Sequence, residues 1–153
     1  LEFNLDFKQP PTDQPITIDD INYETGKWDL LPESRTSLDK LVEVLSINPD
    51  ISVEIMSHTD DVGDAAFNME LSQKRADEVV RYLVQKGAAQ TRLKSKGYGE
   101  SLPLRVRLKT AKRFPFLKEG DVLGIKYIEQ LTNQKDQEIA RSLNRRTEFR
   151  VLE

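Results

Sequence analysis

Apolar residues recur with a helical period in two long segments of the chain. The first stripe has the spacing i, i+3, i+4, i+7 and consists of Leu38, Leu41, Val42 and Leu45. It predicts a helix over residues 33–48, ended by Asn48-Pro49. The second stripe predicts a longer helix over 68–86, with Gly87 in the position of a C-terminal cap.

Shorter segments alternate between apolar and polar residues, as half-buried strands do. They cover residues 16–24, 51–56, 92–96 and 147–151, and Gly97-Tyr98-Gly99 is predicted to be flexible. Residues 103–133 show a weaker pattern that predicts a helix over 122–131, and a last helix ends near Leu143. The order strand, helix, strand, helix, strand, helix, strand predicts an α/β sandwich with helices packed on a small sheet.

Length and composition favour one domain preceded by a linker. The chain has 153 residues, and its first 15 contain three prolines and no helical period. We therefore expect an extended linker at 1–15 and the domain at 16–153. A formal net charge of -3 argues against a protein that wraps nucleic acid. Because no apolar run approaches the ~20 residues of a membrane-spanning helix, direct membrane insertion is not expected.

The composition also excludes several kinds of site. The chain has no cysteine, which removes disulfides, thiolate metal sites and Cys nucleophiles. A single histidine, His58, cannot form a multi-histidine metal centre. The spacing of Asp60, Asp61 and Asp64 does not match a calcium loop. We therefore predict neither a metal nor a cofactor.

The densest group of polar side chains follows the second predicted strand. It consists of residues 57–64 together with Asn68 and Arg75. Because ligands of α/β folds bind beyond the carboxyl ends of strands, Asp60 and Arg75 are expected to face one crevice, with Arg75 about two turns into its helix. Arg binds a carboxylate bidentately and Asp accepts hydrogen bonds from an ammonium, so this pair suits a zwitterionic ligand.

Four separated blocks of sequence resemble a known family. The blocks are HTDDVG, NMELSQKRADEVVRYLVQKG, GYGESLP and NRRTEFRVL. In this order and spacing, residues 21–152 resemble the OmpA C-terminal-like domain, by which Gram-negative envelope proteins hold peptidoglycan. The resemblance implies a β-α-β-α-β-(α)-α-β sandwich with helices on a small mixed sheet. It also implies a periplasmic, outer-membrane-associated domain without enzymatic activity.

The resemblance further implies which residues bind. Asp60 and Arg75 match the positions that grip the diaminopimelate residue of the peptide stem. The other implied positions are Thr59, Asn68, Leu71, Tyr23, Glu24, Asn144 and Arg145. Peptidoglycan is thus the expected partner, and the domain is expected to anchor other domains of a larger envelope protein or complex to the wall.

Some positions depart from the family pattern. Ser57 stands where Gly is usual, and Glu24 where Asp or Asn is common. An insertion at about 104–138 has no counterpart in short members, and its basic segment 105–113 is predicted to be a solvated flap. The Lys-rich insertion and the LNRRTEF ending resemble members from Bacteroidota, which implies a part in type IX secretion.

Two other functions remain open at this stage. A wall-directed hydrolase would use Asp60, Asp61 or Glu24 as acid and base. A protein-interaction module would instead use the 104–138 insertion to dock a partner. His58 is expected to be a loop residue held by hydrogen bonds rather than a catalytic base.

Overall fold

A four-stranded mixed sheet organises residues 14–152, the part of the chain that the computed structural model describes. The predicted linker at 1–15 therefore lies almost wholly outside the described residues. In chain order, the elements are β1 (Ile16–Ile18), α1 (Ser34–Ile47), β2 (Ser52–His58), α2 (Ala65–Gln85), β3 (Leu93–Gly99), α3 (Leu108–Arg113), α4 (Ile125–Gln130), α5 (Gln134–Asn144) and β4 (Thr147–Leu152). This arrangement confirms the predicted α/β architecture with helices and a small mixed sheet.

The strands lie in the order β1-β4-β2-β3. β2 and β3 are parallel, whereas β4 runs antiparallel to both β1 and β2. The largest apolar cluster, here called the main core, joins the sheet to the inner faces of α1 and α2. It contains Ile16, Ile18, Ile21, Leu38, Leu41, Leu45, Val53, Ile55, Ala76, Val79, Leu83, Leu93, Phe149 and Val151. The helical stripes of the sequence are therefore the faces that this core buries.

A close approach of α2 to β3 fixes the helix that carries much of the polar cluster. A Cβ atom built on Gly97 would lie 2.2 Å from the backbone nitrogen of Gln73, so only glycine fits. The Gly97 amide donates to Oε1 of Gln73, and the Gly99 amide donates to Oγ of Ser72, both at 2.9 Å. The prediction of a flexible Gly97–Gly99 segment is wrong, because these bonds hold it in β3.

Two boundaries differ from the predicted ones for local reasons. β1 ends at Ile18 instead of residue 24, because a turn follows in which Asp20 has a φ of 59°. α2 begins at Ala65 instead of Asn68, because the Asp64 side chain accepts hydrogen bonds from the first turn and caps the helix.

The insertion at 104–138 folds around an apolar cluster of its own, here called the insertion cluster. Its buried members are Val106, Leu117, Leu123, Ile128 and Ala140. The helix predicted at 122–131 is shorter and covers only Ile125–Gln130, whereas part of the predicted flap forms α3. None of the described helices is both long and apolar enough to cross a membrane.

Candidate functional site

A cavity of about 590 Å³ opens beyond the carboxyl end of β2. Its walls come from the segment after β1, the β2–α2 loop, the first three turns of α2, the end of α5 and the start of β4. We call it the site cavity. Seven of the residues predicted for the site line it, namely Tyr23, Thr59, Asp60, Asn68, Leu71, Arg75 and Arg145.

Arg75 is a largely buried cation in the wall of the site cavity. It lies nearly three turns into α2 rather than two, since the helix begins at Ala65. Its Nε donates to the Lys27 carbonyl at 2.9 Å, and its Nη2 donates to the Glu24 carbonyl at 3.4 Å. Burial lowers the pKa of Arg75, and arginine side chains remain charged in proteins. Nη1 has no hydrogen-bond partner among residues 14–152, so one edge of the guanidinium remains available.

The Tyr23 ring packs against the guanidinium of Arg75. The ring centroid lies 4.5 Å from Cζ of Arg75, within cation–π distance. The Tyr23 hydroxyl reaches the Arg75 carbonyl at 3.4 Å. Burial raises the pKa of Tyr23 to about 12, so the ring stays neutral at physiological pH. Tyr23 thus positions Arg75 as well as lining the cavity.

Asp60 supplies a carboxylate to the site cavity and is the second residue after β2. One oxygen, Oδ1, accepts from the Val62 amide at 2.9 Å, and the other, Oδ2, lies 2.5 Å from Nη1 of Arg145. The Asp60 carbonyl accepts from the Thr59 hydroxyl at 2.9 Å. Asn68 does not cap α2 but donates to the Val62 carbonyl at 3.0 Å, which ties the loop to the helix. The loop therefore holds the Asp60 side chain at the cavity.

Arg145 is the second guanidinium of the site cavity. It bridges Asp60 and Glu138, whose Oε1 lies 2.6 Å from Nη2. Burial lowers the pKa of Arg145, but the bonds to Glu138 and Asp60 outweigh burial and raise it overall. Arg75 and Arg145 are close enough for each to affect the other, because the Arg145 charge lowers the pKa of Arg75.

Two of the predicted site residues do not line the site cavity. The exposed Glu24 side chain pairs with Nζ of Lys27 at 2.8 Å, and only its backbone carbonyl contacts Arg75. Asn144 accepts from the Leu104 amide at 2.8 Å and donates to the Leu123 carbonyl at 2.9 Å. Asn144 therefore faces the insertion and ties it to α5.

The structure also contributes site residues that the sequence patterns missed. Glu138 lines the cavity and precedes its partner Arg145 by seven residues, the spacing of two helical turns. That spacing was the available signal. Arg141, in the same helix, pairs with Asp61 at 3.2 Å. α5 therefore holds the β2–α2 loop through two ion pairs.

His58 is the last residue of β2 and is buried, so it does not lie in the loop as predicted. Its Nε2 lies 2.7 Å from Oε1 of Glu148, and its ring stacks on Tyr98 with 5.3 Å between centroids. Burial lowers its pKa, with a further lowering by Arg146, while Glu148 opposes both effects. His58 separates the site cavity from a second cavity of about 360 Å³ at the insertion.

The arrangement favours recognition of a ligand that carries both charges. Three arginines, Arg75, Arg145 and Arg146, line one cavity with the carboxylates of Asp60 and Glu138, and charged hydrogen bonds are the strongest that such a site forms. Within residues 14–152, no cluster of three or more His, Asp or Glu side chains is arranged to hold a metal ion. The charged side chains that line the cavity can bind a ligand by charge and hydrogen bonding.

Several known proteins are similar to this chain in sequence or in fold. Outer membrane porin F of Pseudomonas fluorescens is 36% identical over 95 residues, which cover 61% of this chain and 29% of that protein. Outer membrane protein A of Klebsiella pneumoniae is 40% identical over 87 residues, which cover 56% of this chain and 25% of that protein. The chain thus spans less than a third of the length of either relative.

Among solved structures, a MotB-like protein of Desulfovibrio vulgaris is 26% identical with a TM-score of 0.59, over 89% of this chain and 69% of that one. The peptidoglycan-associated lipoprotein of Burkholderia pseudomallei has a TM-score of 0.61 over 86% of this chain and 88% of that one; at 18% identity it shows the shared fold. The narrower resemblance to Bacteroidota members stays a prediction. Residues 22–113, which include Asp60 and Arg75, match the OmpA family, and the chain belongs to that family.

Proposed function

We propose that the domain binds peptidoglycan without catalysis, through the diaminopimelate residue of the stem peptide. In this proposal, Arg75 binds the side-chain carboxylate of diaminopimelate and Asp60 its ammonium group. The observation that carries the proposal is that both side chains border one cavity of about 590 Å³, each held by neighbouring residues. Diaminopimelate presents an ammonium and a carboxylate on one carbon, which suits this pair of charges.

The available hydrogen-bonding groups support this assignment. Nε and Nη2 of Arg75 are engaged by the backbone at Lys27 and Glu24, which leaves Nη1 to donate to a ligand carboxylate. Asp60 accepts one hydrogen bond at each oxygen, and a carboxylate offers about four acceptor positions in total. An ammonium can therefore bind Asp60 without displacing Arg145. Arg145 would then be a second cation, beside Arg75, near the ligand carboxylate.

The comparisons with known proteins independently support peptidoglycan as the ligand. The peptidoglycan-associated lipoprotein and the cell wall anchor of the T6SS from Pseudomonas aeruginosa share this fold, the latter with a TM-score of 0.57 over 88% of this chain and 76% of that one, at 18% identity. We infer from their names and from the family that the domain works in the periplasm and anchors a larger envelope protein or complex to the wall. The assignment to a type IX secretion complex is the narrowest form of this proposal.

One domain is expected to hold a stem peptide weakly. Hydrogen bonds to charged groups contribute about 1.5–3 kcal/mol each. Ordering a flexible stem peptide opposes that gain. Firm anchoring then comes from many stems along one polymer, because linked sites raise the effective concentration of ligand.

The test is co-sedimentation with purified sacculi that contain diaminopimelate. Asp60→Asn keeps the shape of the side chain and an acceptor for the Val62 amide but removes the charge. Arg75→Lys keeps the charge but loses the fork of donors. We expect each variant to bind at least about tenfold more weakly, the loss of roughly one charged hydrogen bond.

Matched controls separate the site from general charge effects. Asp50→Asn and Arg81→Lys alter exposed groups outside the cavity and should leave binding within about twofold of the unsubstituted domain. Circular dichroism checks that every variant is folded. Unimpaired binding by both site variants would refute the assignment. Release of muropeptides during incubation would instead favour the hydrolase.

A further inference from the structure

The insertion carries a run of positive charge that the site does not use. Six cations, Arg105, Arg107, Lys109, Lys112, Arg113 and Lys118, lie between Glu100 and Glu119, and no carboxylate lies among them. The whole chain has a formal net charge of -3, so the rest of the molecule is strongly acidic. None of the six lines the site cavity. This charge asymmetry needs an explanation of its own.

The insertion presents these cations from an ordered scaffold. Leu117, Leu123 and Ile128 are almost completely buried in the insertion cluster. The Leu123 amide donates to the Leu104 carbonyl at 2.9 Å, and the Asn144 side chain bonds to both residues. The predicted solvated flap is therefore part of a folded insertion, and its cations are carried on an ordered backbone.

Cations and an exposed leucine share the outer face of α3. Lys109, Lys112 and Arg113 have the spacing i, i+3, i+4, which places them on one side of a helix. Leu108 precedes them and is 51% exposed, while the inward residues Thr110 and Ala111 are half-buried. An apolar side chain within a basic face is typical of a surface that meets both charge and hydrocarbon.

The segment before α3 carries two more exposed cations, which border the second cavity. Arg105 and Arg107 are exposed on either side of the buried Val106, so both point outward. Leu102, just upstream, is 45% exposed. Among the described residues, Arg105, Arg107 and Lys112 make no ion pair with a carboxylate. We call residues 102–113 the basic face.

We propose that the basic face docks on a membrane surface that contains anionic phospholipid. Cations near such a surface are attracted within a Debye length, and the acidic remainder of the domain is repelled, which orients the domain. Leu102 and Leu108 favour lipid over an anionic glycan, because headgroups admit apolar side chains and a solvated polysaccharide does not. Docking would not use the residues of the site cavity, since no cation of the basic face lines it. This proposal does not depend on the proposed function.

The experiment is flotation of the domain with vesicles of phosphatidylcholine alone or mixed with phosphatidylglycerol. We expect binding to the mixed vesicles only, and its loss at high salt. The double variant Lys112→Glu and Arg113→Glu should bind at least about tenfold more weakly, because each cation contributes roughly a fivefold factor. Arg81→Glu with Lys86→Glu makes the same charge change at the C-terminal end of α2, and this variant should bind within about threefold of the unsubstituted domain.

A second pair of variants distinguishes lipid from other anionic partners. Leu108→Ser should weaken vesicle binding several-fold, whereas Ile47→Ser, at an equally exposed residue of α1, should not. Equal binding to both kinds of vesicle, no binding to either, or equal losses in the basic-face and α2 variants would overturn the proposal. Loss of sacculus binding in the Lys112→Glu and Arg113→Glu variant, without vesicle binding, would assign the face to the wall instead. Circular dichroism again checks folding.

Discussion

The main core and the insertion cluster differ in the contacts that hold their regions in place. The main core joins two long helices to a four-stranded sheet, and it buries whole apolar faces. The insertion has only two helices of six residues among its described elements, and Asn144 joins it to α5 by hydrogen bonds. Long regular elements thus position the site cavity, whereas the insertion is held on α5 by the apolar contact at Ala140 and by the hydrogen bonds of Asn144.

The two regions also differ in how their charged side chains are arranged. In the site cavity, Asp60 and Arg145 are paired, and Arg75 is bound to backbone carbonyls. Along residues 101–118, every charged side chain is a cation and is exposed. Paired groups of both signs suit a small zwitterion, because they are held in place before it binds. A one-signed surface suits a large, diffuse partner and is sensitive to salt.

The largest expected effect comes from adding one methyl group between α2 and β3. In Gly97→Ala the new Cβ atom would meet the backbone of Gln73, which cannot move aside as a flexible side chain can. We expect a loss of about 3 kcal/mol or more in the free energy of unfolding. Urea denaturation, monitored by circular dichroism, measures this free energy.

Gly124 provides the matched substitution in the insertion. A Cβ atom there has no other atom within 4 Å. Gly124→Ala should therefore change the free energy of unfolding by less than about 1 kcal/mol. If Gly97→Ala were equally mild, the close packing of α2 on β3 would not be what positions the site.

The next effect concerns the hydrogen bonds that join the insertion to α5. Asn144→Ala leaves the Leu104 amide and the Leu123 carbonyl without their side-chain partner, at a cost of about 1–3 kcal/mol. Hydrogen exchange should speed up in the insertion more than in α2, and the folded protein should still bind sacculi. Lost sacculus binding with unchanged exchange would place Asn144 in the site, as the family resemblance implied.

The smallest effect is a pH dependence at the wall between the two cavities. The folded state lowers the pKa of His58, chiefly by burial, below its ordinary value of 6.5. Below pH 6.5 the unfolded chain therefore binds more protons, so stability falls as the pH falls. One proton limits the slope to about 1.4 kcal/mol per pH unit.

Glu148, which faces His58, does not obscure that measurement. Its contacts with His58 and Arg146 outweigh burial and lower its pKa from 4.5, so the stability that it contributes is lost only below that value. Thermal unfolding between pH 7 and pH 5 thus reports on His58. His58→Gln should flatten the dependence, and a dependence unchanged in that variant would assign it to other groups.

The sequence predicted the elements that have long, regular patterns. α1 and β4 were predicted nearly to the residue, because a repeated apolar face must be buried. α3 and α4 have six residues each, too few for a period to be visible, and their stability comes from tertiary contacts. The short β1 reflects the turn at Asp20, which the pattern of apolar residues does not encode.

The site was predictable where a motif places residues at fixed spacing. Asp60 and Arg75 reach one cavity because the β2–α2 connection and the Gly97 contact determine their relative position. Glu138 lies outside the predicted set because its spacing to Arg145 indicates a pair, but does not show that the packing of α5 turns this pair toward the cavity. Asn144 and Arg145 are neighbours in sequence, yet only Arg145 lines the cavity.

Calorimetric titration with two stem peptides tests the central claim most directly. One peptide carries meso-diaminopimelate, and the other carries lysine, which lacks the second carboxylate. We predict binding at least about tenfold tighter to the diaminopimelate peptide, since one charged contact with Arg75 distinguishes the two. Arg75→Lys should remove most of that preference, and Asp60→Asn should weaken the binding of both peptides. Equal affinity of the unsubstituted domain for the two peptides would contradict the account.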